Sequence, residues 1–60
     1  MKFIRLKRMG ETILVSDKNG AVIAYVNDGK TDEVCEPSIG EASEIEYVKA
    51  NFQTVLNKLP

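Results

Sequence analysis

The chain has 60 residues, of which 43% are hydrophobic and 28% are charged, with eight Lys or Arg against nine Asp or Glu. We therefore expect one domain over residues 1–60, because no length remains for a second. One cysteine and no histidine exclude both an internal disulfide and a zinc site with several Cys or His ligands.

Glycines at positions 10, 20, 29 and 40 divide the first forty residues at intervals of nine to eleven residues. They lie beside polar residues that favour turns, which is typical of a meander of short antiparallel strands. Strands are predicted at 2–9, 11–16, 21–27 and 32–36. The fourth has little apolar content and ends at Pro37, so we expect it to be an edge strand or partly irregular.

After Gly40 neither glycine nor proline interrupts the chain before Pro60. Apolar residues then recur at spacings of three and four, which places them on one stripe of a helix over about 41–59: Ile45, Val48, Phe52, Val55 and Leu59. Ser38 and Glu41 have the spacing of a capping box at the start of this helix.

A second parsing of the same segment remains open. Residues 44–48 alternate between charged and apolar side chains, as in a fifth strand, and Asn51 could then cap a short helix over 52–59. We expect the single long helix because its apolar stripe runs through the whole segment.

Together these elements predict an α+β fold, in which a four-stranded antiparallel meander is followed by one C-terminal helix packed on the sheet. The predicted core combines one strand face with the helix stripe: Ile4, Leu6, Ile13, Val15, Ile23, Tyr25, Ile45, Val48, Phe52, Val55 and Leu59.

A homodimer is expected, since so short a chain buries only about 60% of its unfolded surface and leaves little margin of stability. A straight helix over 41–59 would be about 28 Å long, whereas strands of this length reach about 20 Å. The end of the helix is therefore expected to project beyond the sheet and to contact a second copy through Val55, Leu56 and Leu59.

Catalysis is not expected, because the commonest general base is missing and no base neighbours Cys35 in the sequence. The acidic residues of the helix point in different directions, as on a solvated surface. Residues 17–20 match part of a calcium loop, but Val26 stands where the bidentate glutamate would be. We assign no catalytic, cofactor-binding or metal-binding residue.

The first strand carries the strongest candidate for a binding surface. If Ile4 and Leu6 face the core, the residues between them project together from the opposite face. Basic side chains beside an aromatic ring suit single-stranded nucleic acid, although charges also protect an edge strand from aggregation. The candidate nucleic-acid-binding residues are Phe3, Arg5, Lys7 and Arg8.

The stretch over residues 6–17 resembles the opening hairpin of the carbon storage regulator family, small dimeric RNA-binding proteins with an Arg-x-Gly-Glu-Thr/Ser pattern. The matching residues are Arg8, Gly10, Glu11, Thr12, Val15 and Asp17. The resemblance implies an RNA-binding role for the basic first strand. It covers about a fifth of the chain, and residues 43–47 are acidic where that family carries a basic element.

The expected function is that of a small non-catalytic interaction or regulatory module that acts by protein contact as a homodimer. The alternative is an RNA- or single-stranded-nucleic-acid-binding module that uses the basic first strand. Apolar runs reach only six residues, too short for a bilayer, so no membrane association is expected. A lone cysteine fits the reducing cytoplasm.

Overall fold

The computed structural model of the chain describes residues 3–60, which form four strands followed by two helices. The elements are β1 (Ile4–Met9), β2 (Thr12–Asp17), β3 (Val22–Asn27), β4 (Lys30–Glu33), α1 (Ile39–Ala50) and α2 (Phe52–Lys58). The strands make one antiparallel sheet in the order β1-β2-β3-β4, with β1 and β4 at its edges. The predicted α+β fold is confirmed, with two helices in place of one.

Two kinds of turn join the first three strands. The β1–β2 loop has two residues, and Gly10 adopts a φ of 63°, which a residue with a side chain rarely does. The β2–β3 loop is instead held by Asp17, whose carboxylate accepts hydrogen bonds from the backbone N–H groups of Asn19 (2.8 Å) and Ala21 (2.9 Å). This loop, which partly matched a calcium-binding pattern, is thus organised by its own backbone donors.

The fourth strand lies earlier in the chain than the predicted range of 32–36. Lys30 already pairs with Asn27 across a two-residue turn, so β4 begins directly after Gly29. The pairing ends where the N–H groups of Val34 and Cys35 both donate to the carbonyl of Ile23. Since one acceptor serves two successive donors, the regular alternation of the ladder cannot continue.

The helical segment begins at its capping box and is interrupted once. The Ser38 hydroxyl accepts from the Glu41 N–H, and the Glu41 carboxylate accepts from the Ser38 N–H, as the spacing predicts. At Asn51 the backbone leaves the helical region, with φ −116° and ψ 34°. Its backbone N–H and its side-chain amide both donate to the carbonyl of Tyr47, at 3.0 and 2.9 Å.

The helix break decides two of the sequence-based expectations. Residues 44–48 are helical, so the fifth strand is wrong, although α2 does begin after Asn51 as that parsing required. The expectation of a single projecting helix over 41–59 is also wrong. The helix is interrupted at Asn51, and α2 packs on the core through Phe52 and Leu56.

The core lies between one face of the sheet and the helices, and its buried residues are Ile4, Ile13, Val15, Ile23, Ala24, Val26, Ile45, Val48, Phe52 and Leu56. The predicted members Leu6, Val55 and Leu59 are partly buried at its border.

The prediction that Tyr25 belongs to the core is wrong, since this side chain is 39% exposed. The cause is an irregularity in the β2–β3 pairing, where Val15 pairs with Ala24 but Ser16 pairs with Val22. One extra residue in β3 lets Ile23 and Ala24 both face the core, after which the alternation turns Tyr25 outward.

We expect Phe52→Ala to lower the free energy of unfolding by about 3 to 5 kcal/mol, comparable to the whole stability of a small domain. The Phe52 ring is 4% exposed and connects the helices to the sheet. Thermal unfolding followed by circular dichroism measures the loss. Gln53→Ala, at an exposed position of the same helix, is the matched control. Equal melting temperatures for the two variants would show that α2 is not anchored through Phe52.

Asp17→Ala removes the acceptor of two backbone hydrogen bonds, and we expect it to lower the free energy of unfolding by about 1 to 2 kcal/mol. Asp28→Ala is the control, because in that turn the backbone N–H of Asp28 donates to Asn27 and its own carboxylate is not the acceptor. Urea unfolding of both variants provides the comparison. A smaller loss for Asp17→Ala than for Asp28→Ala would contradict this role.

Candidate interaction surface

The sheet has one face covered by the helices and one face that no described residue covers. On β2, Ile13 and Val15 are fully buried toward the helices, so Leu14 between them points to the other side. On β3, Ala24 and Val26 are likewise fully buried, and Tyr25 points to the same side as Leu14. We call this second side the open face.

Four side chains form one row across the middle of the open face. Lys7 pairs with Leu14, Leu14 pairs with Tyr25, and Tyr25 pairs with Asp32. The row therefore crosses all four strands and places a cation on the β1 edge, two large apolar side chains in the centre and an anion on the β4 edge. We call these four residues the central row.

The open face is more apolar than a solvated sheet face usually is. An antiparallel sheet covered on one side normally carries polar residues on the other. Here Leu14 and Val22 are half-buried, Tyr25 is 39% exposed, and Met9 is 52% exposed near the end of β1. The centre of this face thus presents apolar groups to the solvent.

The four predicted nucleic-acid-binding residues do not lie on one surface. Arg5 and Lys7 do project together from β1 onto the open face. Phe3 precedes β1, and its ring lies against Gly40 in α1, where an added Cβ would come within 3.1 Å of it. The Phe3 N–H also donates to the Glu44 carboxylate, which ties this residue to the helix layer.

Arg8 is directed to the β1–β2 hairpin. By the alternation of β1 it belongs with Ile4 and Leu6 rather than with Arg5 and Lys7. Its Nε atom donates to the carbonyl of Gly10 at 2.9 Å. The structure therefore brings Arg5 and Lys7 together and separates Phe3 and Arg8 from them.

Two of the three predicted dimer-contact residues, Val55 and Leu59, line a groove between β1 and the helices. This groove has a volume of about 360 Å³, and its lining is mainly apolar, from Ile4, Leu6, Glu44, Tyr47, Val48, Thr54, Val55, Lys58 and Leu59. Val55 and Leu59 are half-buried in its wall. Leu56 is only 4% exposed and belongs to the core of its own chain, so it has little surface to offer a partner.

Other reactive groups within residues 3–60 do not assemble into a site. Cys35 is exposed at the end of the β4 segment, with its Sγ atom 3.8 Å from the carbonyl of Val22. His, Cys, Asp and Glu side chains in this range form no group of three that could hold a metal ion. No helix in the described part of the chain is long and apolar enough to cross a membrane.

Comparison with known proteins assigns no family. No protein-family model, no curated protein and no solved structure is significantly similar to the chain. The resemblance of residues 6–17 to the carbon storage regulator family therefore remains a resemblance of one hairpin.

Sequence reasoning found Arg5 and Lys7 but missed the rest of the open face. Leu14 and Tyr25 lie in apolar runs in which either alternation could face the core. The missing information was the register between strands, because only the pairing of Lys7, Leu14, Tyr25 and Asp32 places them in one row.

Proposed function

We propose that the protein is a non-catalytic interaction or regulatory module that acts by protein contact as a homodimer. The observation that carries this proposal is the open face, where Leu14, Val22 and Tyr25 lie on a side of the sheet that no other described residue covers. Apolar surface of this kind gains about 25 cal/mol for each Å² that a partner removes from water. A cytoplasmic location is part of the same proposal and depends on the single cysteine.

We expect the protein to self-associate with a dissociation constant of about 10 to 100 μM, because the open face is small for a stable interface. Tyr25→Ser should shift the equilibrium to the monomer by removing the exposed ring at the centre of this face. Sedimentation equilibrium over a range of concentrations measures both effects. Tyr47→Ser is the matched control, since Tyr47 is 65% exposed but lies on the helix layer, where it lines the groove instead of the open face.

The two tyrosine variants distinguish the candidate surfaces. If Tyr47→Ser, and not Tyr25→Ser, abolishes association, the dimer forms through the groove at Val55 and Leu59. A parent protein that remains monomeric throughout would contradict the homodimer. Circular dichroism spectra of both variants confirm that neither result is caused by unfolding.

Binding of single-stranded nucleic acid is the second candidate function. It is favoured by the position of Arg5 and Lys7, which share the open face with the Tyr25 ring. Cations can contact phosphates while a ring stacks on a base. Asp32 on the same face and a pI of about 5.3 oppose this arrangement, so we rank it below protein contact.

We expect the parent protein to bind single-stranded RNA no tighter than about 10 μM near physiological salt. Replacing both Arg5 and Lys7 by Gln should then leave stability within about 1 kcal/mol, because exposed charges contribute little. Fluorescence anisotropy with a labelled RNA, repeated at several salt concentrations, provides the measurement. The control replaces Lys49 and Lys58, both exposed on the helices, by Gln. Submicromolar binding that only the Arg5 and Lys7 variant loses would make nucleic-acid binding the leading function.

A further inference from the structure

From the central row we infer that the partner of the open face is a second copy of this chain, stacked on it face to face about a two-fold axis parallel to the strands. The inference depends on the proposed function, since it specifies the partner and its orientation. The supporting observation is the order of the four side chains in the central row. When a second copy of the row is laid over the first in reverse order, each charge meets an opposite charge and Leu14 meets Tyr25.

The rotation itself brings the complementary groups together. The axis runs parallel to the strands, above the boundary between β2 and β3. A half turn about it leaves each cross-strand row at the same position along the strands and reverses the order of the residues in that row. The β1 edge of one copy then lies over the β4 edge of the other. Lys7 of each copy faces Asp32 of the other, and Leu14 faces Tyr25. This is an isologous contact, in which one surface patch meets itself.

The dimensions of two packed sheets fit this arrangement. Face-to-face sheets lie about 10 Å apart, with their strands rotated by about 30°. A Lys side chain and an Asp side chain can together span that gap, while Leu and Tyr fill its centre. The apolar pair supplies most of the contact energy, and the charged pairs at the rim mainly fix the orientation.

Within one copy, Lys7 and Asp32 cannot pair with each other. They lie on opposite edges of the sheet, separated by three strand spacings or about 14 Å. Lys7 and Asp32 can therefore pair with each other only between two molecules.

Pairing of two β1 edges is a poorer alternative for self-association. Two antiparallel copies of β1 centred on Leu6 would place Arg5 of one copy beside Lys7 of the other, and like charges in cross-strand positions destabilise a sheet. Charged residues on an edge strand commonly prevent such pairing. The stacked arrangement leaves β1 at the edge and uses its charges instead.

The small area of the open face predicts that the dimer is weak. Four strands of up to six residues make a face of about 20 by 20 Å, which is at the low end of the interfaces that hold proteins together. The association should therefore depend on concentration and respond to single substitutions at the rim.

A charge-exchange experiment tests the arrangement. Lys7→Asp places two anions at each end of the interface, and Asp32→Lys places two cations there. We expect each variant alone to associate about tenfold or more weakly than the parent, and an equimolar mixture of the two to recover association as a heterodimer. Sedimentation equilibrium of each variant and of the mixture provides the readout, with one variant carrying a fluorescent label.

Controls use the same charge changes on the other side of the molecule. Lys49→Asp and Glu46→Lys alter exposed positions of α1 and should leave association at the parent level, both separately and in the mixture. Circular dichroism of all four variants establishes that they remain folded.

The outcomes separate the arrangement from the proposed function. Recovery of association in the mixture of Lys7→Asp and Asp32→Lys, and only there, supports the stacked dimer. If the parent self-associates and Lys7→Asp and Asp32→Lys each associate as strongly as the parent, the stacked arrangement is overturned, while the proposed function as a protein-contact module stands. If the parent stays monomeric at every concentration, the homodimer itself is overturned.

Discussion

The packing of one helix layer against one face of the sheet is the interaction on which the rest of this structure depends. Ile13, Val15 and Val26 are fully buried there, in one cluster with Phe52 and Leu56 of α2. Both helices of the described residues lie on that one side of the sheet, and the other side is left as the open face.

The composition of the open face is set by a local feature of β3. One extra residue in the pairing with β2 lets Ile23 and Ala24 face the core together and turns Tyr25 outward. Without that residue the regular alternation could not place Ile23 on the same side as Ala24. The irregularity therefore adds Ile23 to a small core and leaves Tyr25 on the open face beside Leu14.

Charge is distributed unevenly along the chain, and the order of the strands determines where some of these charges lie on the sheet. The first thirty residues hold six basic and three acidic side chains, and the last thirty hold two basic and six acidic ones. Because a meander keeps chain order, Lys7 on β1 and Asp32 on β4 lie at opposite edges of the open face, and Lys30 lies two residues from Asp32 on that same face. The two-fold stacking of the open face uses the opposite charges of Lys7 and Asp32.

The sequence by itself determined the fold class, the first three strands and the capping box at Ser38, because turn glycines, alternation and cap spacing act over a few residues. It also placed Arg5 and Lys7 on one face. Only the tertiary structure decided which face of β3 is buried, because Val22, Ile23, Ala24 and Tyr25 are all apolar enough for either side, and the pairing with β2 makes the choice. The helix break was also decided by the folded structure, since the stripe through Phe52 continues past Asn51 in the sequence, and the break is visible only in the Asn51 backbone, whose N–H donates to the Tyr47 carbonyl together with the Asn51 side-chain amide.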